Sequence, residues 1–272
     1  MRAKINIDLY STCTVPVFPR FDNEKLSTAT GFFWRHAGRV LLVTNWHVLS
    51  GREPRTGQPK SKDGVIPNRI EFPFRIRENL NIPCSLDCPL HDAQGDNLWI
   101  QSARYGQSVD VAFLDITDLI AKESEKKSFN VMPNCINDID GGLDIKLHLG
   151  RDVFITGFPL GLMKTDIFPI WKRGSIATQP LFPVDGLPCF LVDATTKEGM
   201  SGAPVLARTF NSTESNGNIA FGFRVYTQFL GVYSGRYLGA DATEAHLGIV
   251  WRAAALEEIL SNPTRGNFYL SR

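Results

Sequence analysis

The sequence predicts a mostly β chain closed by one helix, on two observations. Short runs rich in Val, Ile, Phe, Leu and Thr recur between clusters of Gly, Pro, Asn and Asp, the spacing of many short antiparallel strands. Branched and aromatic side chains favour such runs because they pack well on a pleated, half-buried surface. Helical apolar spacing is confined to the end of the chain, over residues 251–260, where Leu256, Ile259 and Leu260 stand at i, i+3 and i+4.

In chain order the strands are expected at residues 29–35, 39–44, 70–76, 98–102, 111–116, 152–158, 171–177, 189–192, 203–207, 229–233 and 247–250. Residues 50–108 form a long connection, opening on GREPRTGQPKSKDG and carrying PCSLDCPLHDAQGD near its end, and long connections commonly carry function. The mixed-charge stretch 121–130, followed by the turn formers of 133–142, marks a boundary between an N-terminal unit, 1–140, and a C-terminal one, 141–272. A length of 272 residues, at roughly 150 per domain, allows either one large domain or two coupled small ones.

Composition narrows the function classes. With 43% hydrophobic and 21% charged residues, wholesale disorder, a coiled coil and a collagen-like fibre are excluded. Twenty-nine Lys and Arg against 28 Asp and Glu leave a net charge of +1, too little to hold a phosphate backbone, so nucleic acid is not the expected partner. The first 20 residues lack the uninterrupted apolar stretch of a secretory leader, and no run approaches the ~20 apolar residues of a membrane span. Cys13, Cys84, Cys88, Cys135 and Cys189 are few and odd in number, which reads as reduced thiols in a cytoplasmic protein without membrane contact.

Three segments each offer one part of a nucleophilic site. In Leu41-Leu42-Val43-Thr44-Asn45-Trp46-His47 an apolar strand ends directly before an imidazole, the ordinary general base near neutral pH. Asp110 opens the apolar run Val111-Ala112-Phe113-Leu114, with Asp115 near its far end as the weaker alternative. In Gly199-Met200-Ser201-Gly202-Ala203-Pro204-Val205 a serine lies in a glycine-flanked turn, and glycines permit the dihedrals that aim consecutive N–H groups at one point. Each segment alone has an ordinary structural reading, as a packed imidazole, a strand-edge turn residue or a hairpin connection.

Together with Thr30-Gly31-Phe32-Phe33 before the histidine strand, Gly150-Arg151-Asp152-Val153-Phe154-Ile155-Thr156-Gly157-Phe158-Pro159-Leu160-Gly161 and Leu230-Gly231-Val232-Tyr233-Ser234-Gly235, these segments resemble trypsin-like serine proteases of the chymotrypsin clan, in particular the bacterial HtrA-type branch without its appended PDZ domain. The resemblance runs over residues 28–261. It implies two six-stranded antiparallel β-barrels with the active site between them, His47 and Asp110 from the first and Ser201 from the second. The intervals 110 − 47 = 63 and 201 − 110 = 91 allow that division, and the chain order His, Asp, Ser is that of the chymotrypsin type.

The chemistry asks for these residue types on its own account. A serine hydroxyl needs a base to take its proton, a carboxylate must hold that base in the right tautomer, and N–H donors, here those of Gly199 and Ser201, must receive the oxyanion. No cofactor is required. The resemblance further implies a primary pocket lined by Thr195, Thr196, Glu198, Val232, Tyr233, Ser234 and Gly235. Thr195 stands where relatives that select Lys or Arg keep an acid, so a neutral or apolar side chain is the expected substrate group, with an acidic one, favoured by Thr196 and Arg236 but opposed by Tyr233 in place of a histidine, as the weaker alternative. Met200 stands where self-activating trypsins carry aspartate, so that activation switch is expected to be absent, and restraint is left to a regulatory protein partner, a closed loop or an unformed oxyanion hole. Cys84, Cys88, His91 and Asp92 carry zinc-type ligands, but without paired C-x2-C spacing no metal is expected there. His36, His148 and His246 are expected at the surface or at a barrel edge. The expected activity is a serine endopeptidase acting on protein or peptide through an acyl-enzyme; a silent binding protein on the same fold and a serine esterase are the alternatives.

Overall fold

The computed structural model describes residues 7–139, 144–163, 167–210, 212–213, 219–220, 225–237 and 247–266. Its first half runs α1 (Leu9–Cys13), β1 (Thr14–Phe21), β2 (Glu24–Lys25), β3 (Ala29–His36), β4 (Arg39–Thr44), α2 (Trp46–Ser50), β5 (Arg69–Ile76), β6 (Asn79–Pro89), β7 (Trp99–Ser102), β8 (Ala112–Asp115) and α3 (Thr117–Lys127). The second half runs β9 (Asp152–Gly157), β10 (Ile170–Ile176), β11 (Cys189–Asp193), β12 (Pro204–Thr209), β13 (Ser212–Thr213), β14 (Ile219–Ala220), β15 (Tyr226–Arg236), β16 (Leu247–Arg252), α4 (Ala253–Ser261) and β17 (Pro263–Arg265). Every strand expected from the sequence is present; 229–233 is part of the longer β15.

Strands β10-β11-β16-β15-β12-β9 close a six-stranded antiparallel barrel. Val153, Ile155, Phe190, Val192, Val205 and Val250 fill it from successive strands, each such side chain contributing roughly 1.5–3 kcal/mol by leaving water. The expected second six-stranded barrel is not closed. The N-terminal strands form one open nine-stranded sheet in the order β17-β7-β8-β4-β3-β1-β5-β6, with β2 on β1. The sheet still shares one core, in which Leu42 and Leu114 meet Phe72, Phe74 and Leu86. The connection from β6 to β7 closes on itself, the Leu98 N–H donating to the Leu90 carbonyl (2.9 Å) and His91 facing Asn97. Strand β6 carries Pro83 and Pro89, which supply no N–H for a further ladder and suit an edge.

The expectation of a single helix is also corrected. The mixed-charge stretch is α3, a solvated helix that buries only Ile120 and carries Glu123 paired with Lys126 (3.6 Å) and Lys127 (3.4 Å), the spacing that places side chains on one face. Its small apolar content hides the 3.6-residue period. The second half of the 50–108 connection is likewise a sheet element: Leu80, Ile82, Cys84, Leu86 and Cys88 alternate inwards along β6, opposite β5.

A third cluster joins the two halves. Phe32, Val43, Val111 and Phe113 of the sheet pack with Leu206, Val232 and Trp251 of the barrel and with Leu256 and Ile259 of α4. Beyond α4, β17 returns to the first sheet and pairs with β7, Thr264 opposite Gln101. The chain thus returns from the barrel to the first sheet.

Candidate active site

His47 follows β4 at once, on the single turn α2. Asn45 precedes that turn in extended conformation, and Gly51 ends it in left-handed conformation (φ 67), its N–H donating to the His47 carbonyl at 3.0 Å. Trp46, buried beside it, donates its indole N–H to Gln101 Oε1 (2.7 Å), so the turn is held from both sides.

Asp110 sits at a very tight turn: the Val111 N–H donates to the Val109 carbonyl at 2.8 Å, a three-residue γ-type closure. Val109 and Val111 are both fully buried, which leaves the aspartate between them aimed across the turn towards α2. Its carboxylate receives two bonds from one residue. The His47 main-chain N–H donates to Oδ1 (2.8 Å) and His47 Nδ1 lies 2.6 Å from Oδ2. The Asp110 carbonyl accepts from Asn45 Nδ2 (2.7 Å), so the two segments are pinned at three points. With the Nδ1 proton directed at the carboxylate, Nε2 is left as an acceptor. Asp115, the alternative acid, is instead occupied at the other end of β8, paired with Arg39 and accepting from the Thr117 hydroxyl (2.6 Å).

Ser201 lies half-exposed in the loop between β11 and β12. The loop is bonded to elements from both halves. Its Ser201 carbonyl accepts from the Thr30 N–H (2.8 Å), its Gly199 carbonyl from the Thr30 hydroxyl (2.7 Å) and its Glu198 carbonyl from the Leu160 N–H (2.6 Å). On the barrel side the Gly202 N–H donates to the Tyr233 carbonyl (2.9 Å) and the Tyr233 N–H to the Ala203 carbonyl (2.8 Å). Thr44, three residues before His47, donates its hydroxyl to the Thr30 carbonyl (2.7 Å), so the serine loop and the histidine strand share Thr30. Met200 drops into the barrel core beside Val205 and Tyr233, fully buried. The loop is therefore anchored by apolar burial at the position where a charged anchor is missing from the sequence.

Two glycines make this path possible. Gly199 (φ +94) and Gly202 (φ +86) occupy the left-handed region that L side chains rarely adopt. A Cβ on Gly202 would stand 2.1 Å from the Thr30 carbonyl oxygen. Among the described residues the N–H groups of Gly199 and Ser201 donate to no backbone acceptor.

The pocket residues divide. Thr196 and Tyr233 are buried and hydrogen-bonded hydroxyl to hydroxyl, and burial raises the pKa of the Tyr233 phenol, so the pair is neutral. Ser234 and Gly235 lie half-buried where the pairing of β15 with β16 slips between Tyr233 and Arg236, which frees strand backbone from the ladder. Thr195 and Glu198 are exposed, and Val232 turns into the core between the halves. Sequence reasoning did not find Thr30, Leu160 and Tyr233 as tethers of the serine loop, although each lies in a segment that carries the family resemblance.

The zinc-type group does not converge. Cys84 and Cys88 are buried on β6 in the apolar core, His91 stands edge-on to Trp99 at 5.7 Å, and Asp92 accepts from the N–H groups of Gln94 and Asp96. His36 ends β3 exposed and His148 is exposed, whereas His246 lies outside the described residues. All five cysteines are buried free thiols. Burial pushes Cys88 up to about 12 and Cys135 and Cys189 up to about 11, and raises Cys13 and Cys84 as well. Since the thiolate is the reactive form, a chromogenic disulfide reagent at pH 8 is expected to leave all five silent in the native chain and to titrate five after denaturation. Fast reaction of any one of them in the native state would contradict this packing.

Residues 29–211 match the family model of the trypsin-like peptidase domain. The chain belongs to this family. No curated protein sequence matches it, but solved protease structures do. The protease Anisep from Arthrobacter nicotinovorans superposes with a TM-score of 0.50 at 13% identity, over 93% of this chain and 96% of that one. The serine endoprotease from Yersinia pestis gives 0.49 at 13% identity over 92% of this chain, which spans 62% of that protein's length. The active form of a protease from M. tuberculosis gives 0.48 at 17% identity, over 95% and 85% of the two chains. At these identities the likeness to Anisep speaks for the trypsin-like fold alone.

Proposed function

We propose that the chain is a serine endopeptidase that cleaves protein or peptide substrates through an acyl-enzyme at Ser201. The observation that carries this reading is the buried His47–Asp110 pair, with Nδ1 bonded to the carboxylate at 2.6 Å and a histidine strand that shares Thr30 with the serine loop. Ser201 Oγ attacks the substrate carbonyl carbon while His47 Nε2 takes its proton. The C=O pair moves onto oxygen, which the N–H groups of Gly199 and Ser201 receive. His47 then gives the proton to the leaving amine as the C–N bond breaks, and water repeats the sequence on the ester.

An extended substrate adds as a strand to the freed backbone at Ser234 and Gly235. The neutral Thr196–Tyr233 pair favours an uncharged side chain in the primary pocket over Lys or Arg. The test is intact mass after incubation with a fluorophosphonate, which reacts with activated serine hydroxyls. A single adduct on the wild type and none on Ser201→Ala is expected; an unlabelled, folded wild type would overturn the reading.

A further inference from the structure

Thr30 stands in the first sheet, on β3, yet its side chain serves the serine loop of the other half. It is fully buried, and its hydroxyl makes two bonds at once: it donates to the Gly199 carbonyl (2.7 Å) and accepts from the Phe158 N–H (3.1 Å). A hydroxyl has one proton, and a carbonyl can only accept while an N–H can only donate, so the direction of this relay is fixed. Gly157 leaves the space for it, since a Cβ there would stand 2.7 Å from Thr30 Oγ1.

Glycine is the most permissive backbone unit, so the orientation of the peptides on either side of Gly199 must be imposed from outside. Thr30 and Leu160 impose it. The Glu198 carbonyl is held by the Leu160 N–H and the Gly199 carbonyl by the Thr30 hydroxyl. In a planar trans peptide the N–H points opposite to the C=O. Pinning the carbonyl of the Glu198–Gly199 peptide thus sets the direction of the Gly199 N–H, and pinning the next carbonyl stops rotation about Gly199 itself.

Resting on the protease reading above, we propose that Thr30 is a positioning residue: its buried hydroxyl, bonded to the Gly199 carbonyl and the Phe158 N–H, blocks rotation about Gly199 and so keeps the adjoining oxyanion-binding peptide, whose carbonyl Leu160 holds, in its working orientation. A β3 residue that merely fills space would need only its shape. Valine supplies that shape without the hydroxyl, and serine supplies the hydroxyl without the methyl.

The experiment measures fluorophosphonate labelling of Ser201 in the full chain, resolved into the maximal rate and the half-saturating concentration across pH. Thr30→Val is expected to lower the maximal rate roughly 10- to 100-fold, the range for leaving buried hydrogen-bonding groups unpaired, with half-saturation unchanged. Thr30→Ser is expected to stay within about threefold of wild type, since it keeps both bonds. The pH midpoint is expected to stay in place in both variants, because the His47–Asp110 bonds do not involve Thr30. Wild-type rates in Thr30→Val, or Thr30→Ser as slow as Thr30→Val, or a loss seen only in half-saturation, would overturn the proposal while leaving the protease reading intact. A wild type that takes no label overturns both. If Thr30→Val does not fold, Thr30→Ala compared with Thr30→Ser carries the same contrast.

Discussion

Asp110→Asn is expected to lower peptide turnover by about 10⁴-fold, the loss met in the Ser-His-Asp template when the acid becomes an amide, with little change in folding. The argument lies in which atoms can donate. The His47 main-chain N–H reaches Asp110 Oδ1 and Nδ1 reaches Oδ2. An asparagine can keep its oxygen on the main-chain donor, and its amide nitrogen then faces Nδ1. Two donors cannot meet, so the imidazole shifts to the tautomer with the proton on Nε2, where it has no lone pair for the serine proton. The shape of the site and the Asn45 bond to the residue 110 carbonyl survive. Turnover of a peptide substrate at neutral pH, with melting temperature measured alongside, checks both halves of the expectation. Activity within tenfold of wild type would reduce Asp110 to a structural capping group of α2.

Much of this site is written locally. His47 stands directly after an apolar strand, Asp110 directly before one, and Ser201 between glycines, so a pass along the chain offers all three as candidates, and the family resemblance joins them. What a local pass cannot find is pairing over distance. Thr30 meets Phe158 and Gly199 across 128 and 169 residues, and nothing near Thr30 in the chain announces either partner. Strands β1 and β6 are not among those the sequence predicts. β1 (TVPVFPRF) and β6 (NLNIPCSLDCP) each carry two prolines, which withhold N–H groups from a ladder; β6 lies at a sheet edge, and β1 passes from β3 to β5 halfway along. Barrel closure is a property of register between strands far apart in the chain, and so the open N-terminal sheet could not be told in advance from a closed one.

The second large effect is expected from Gly199→Ala, and it separates two costs. At φ +94 any L side chain is strained, by roughly 1–2 kcal/mol. In addition the new Cβ would stand 2.3 Å from the Phe158 carbonyl oxygen and 3.1 Å from the Leu160 nitrogen. Neither neighbour can give way cheaply: the Phe158 carbonyl accepts from the Gly161 N–H (3.0 Å) and the Leu160 N–H is the donor that holds the Glu198 carbonyl. Relief therefore comes from turning the peptide at 199, which takes its N–H away from the oxyanion. Loss of one such donor costs about 10²–10³ in turnover, and at least that loss is expected here. Gly150→Ala is the control, since Gly150 also has positive φ (+74) but no atom within 4 Å of its Cβ position. It is expected to show the conformational cost alone, a lower melting temperature with turnover unchanged. Equal loss of turnover in both variants would mean that the activity tracks global stability and that the oxyanion is received elsewhere; loss in Gly199→Ala alone would tie the chemistry to the orientation of that single peptide.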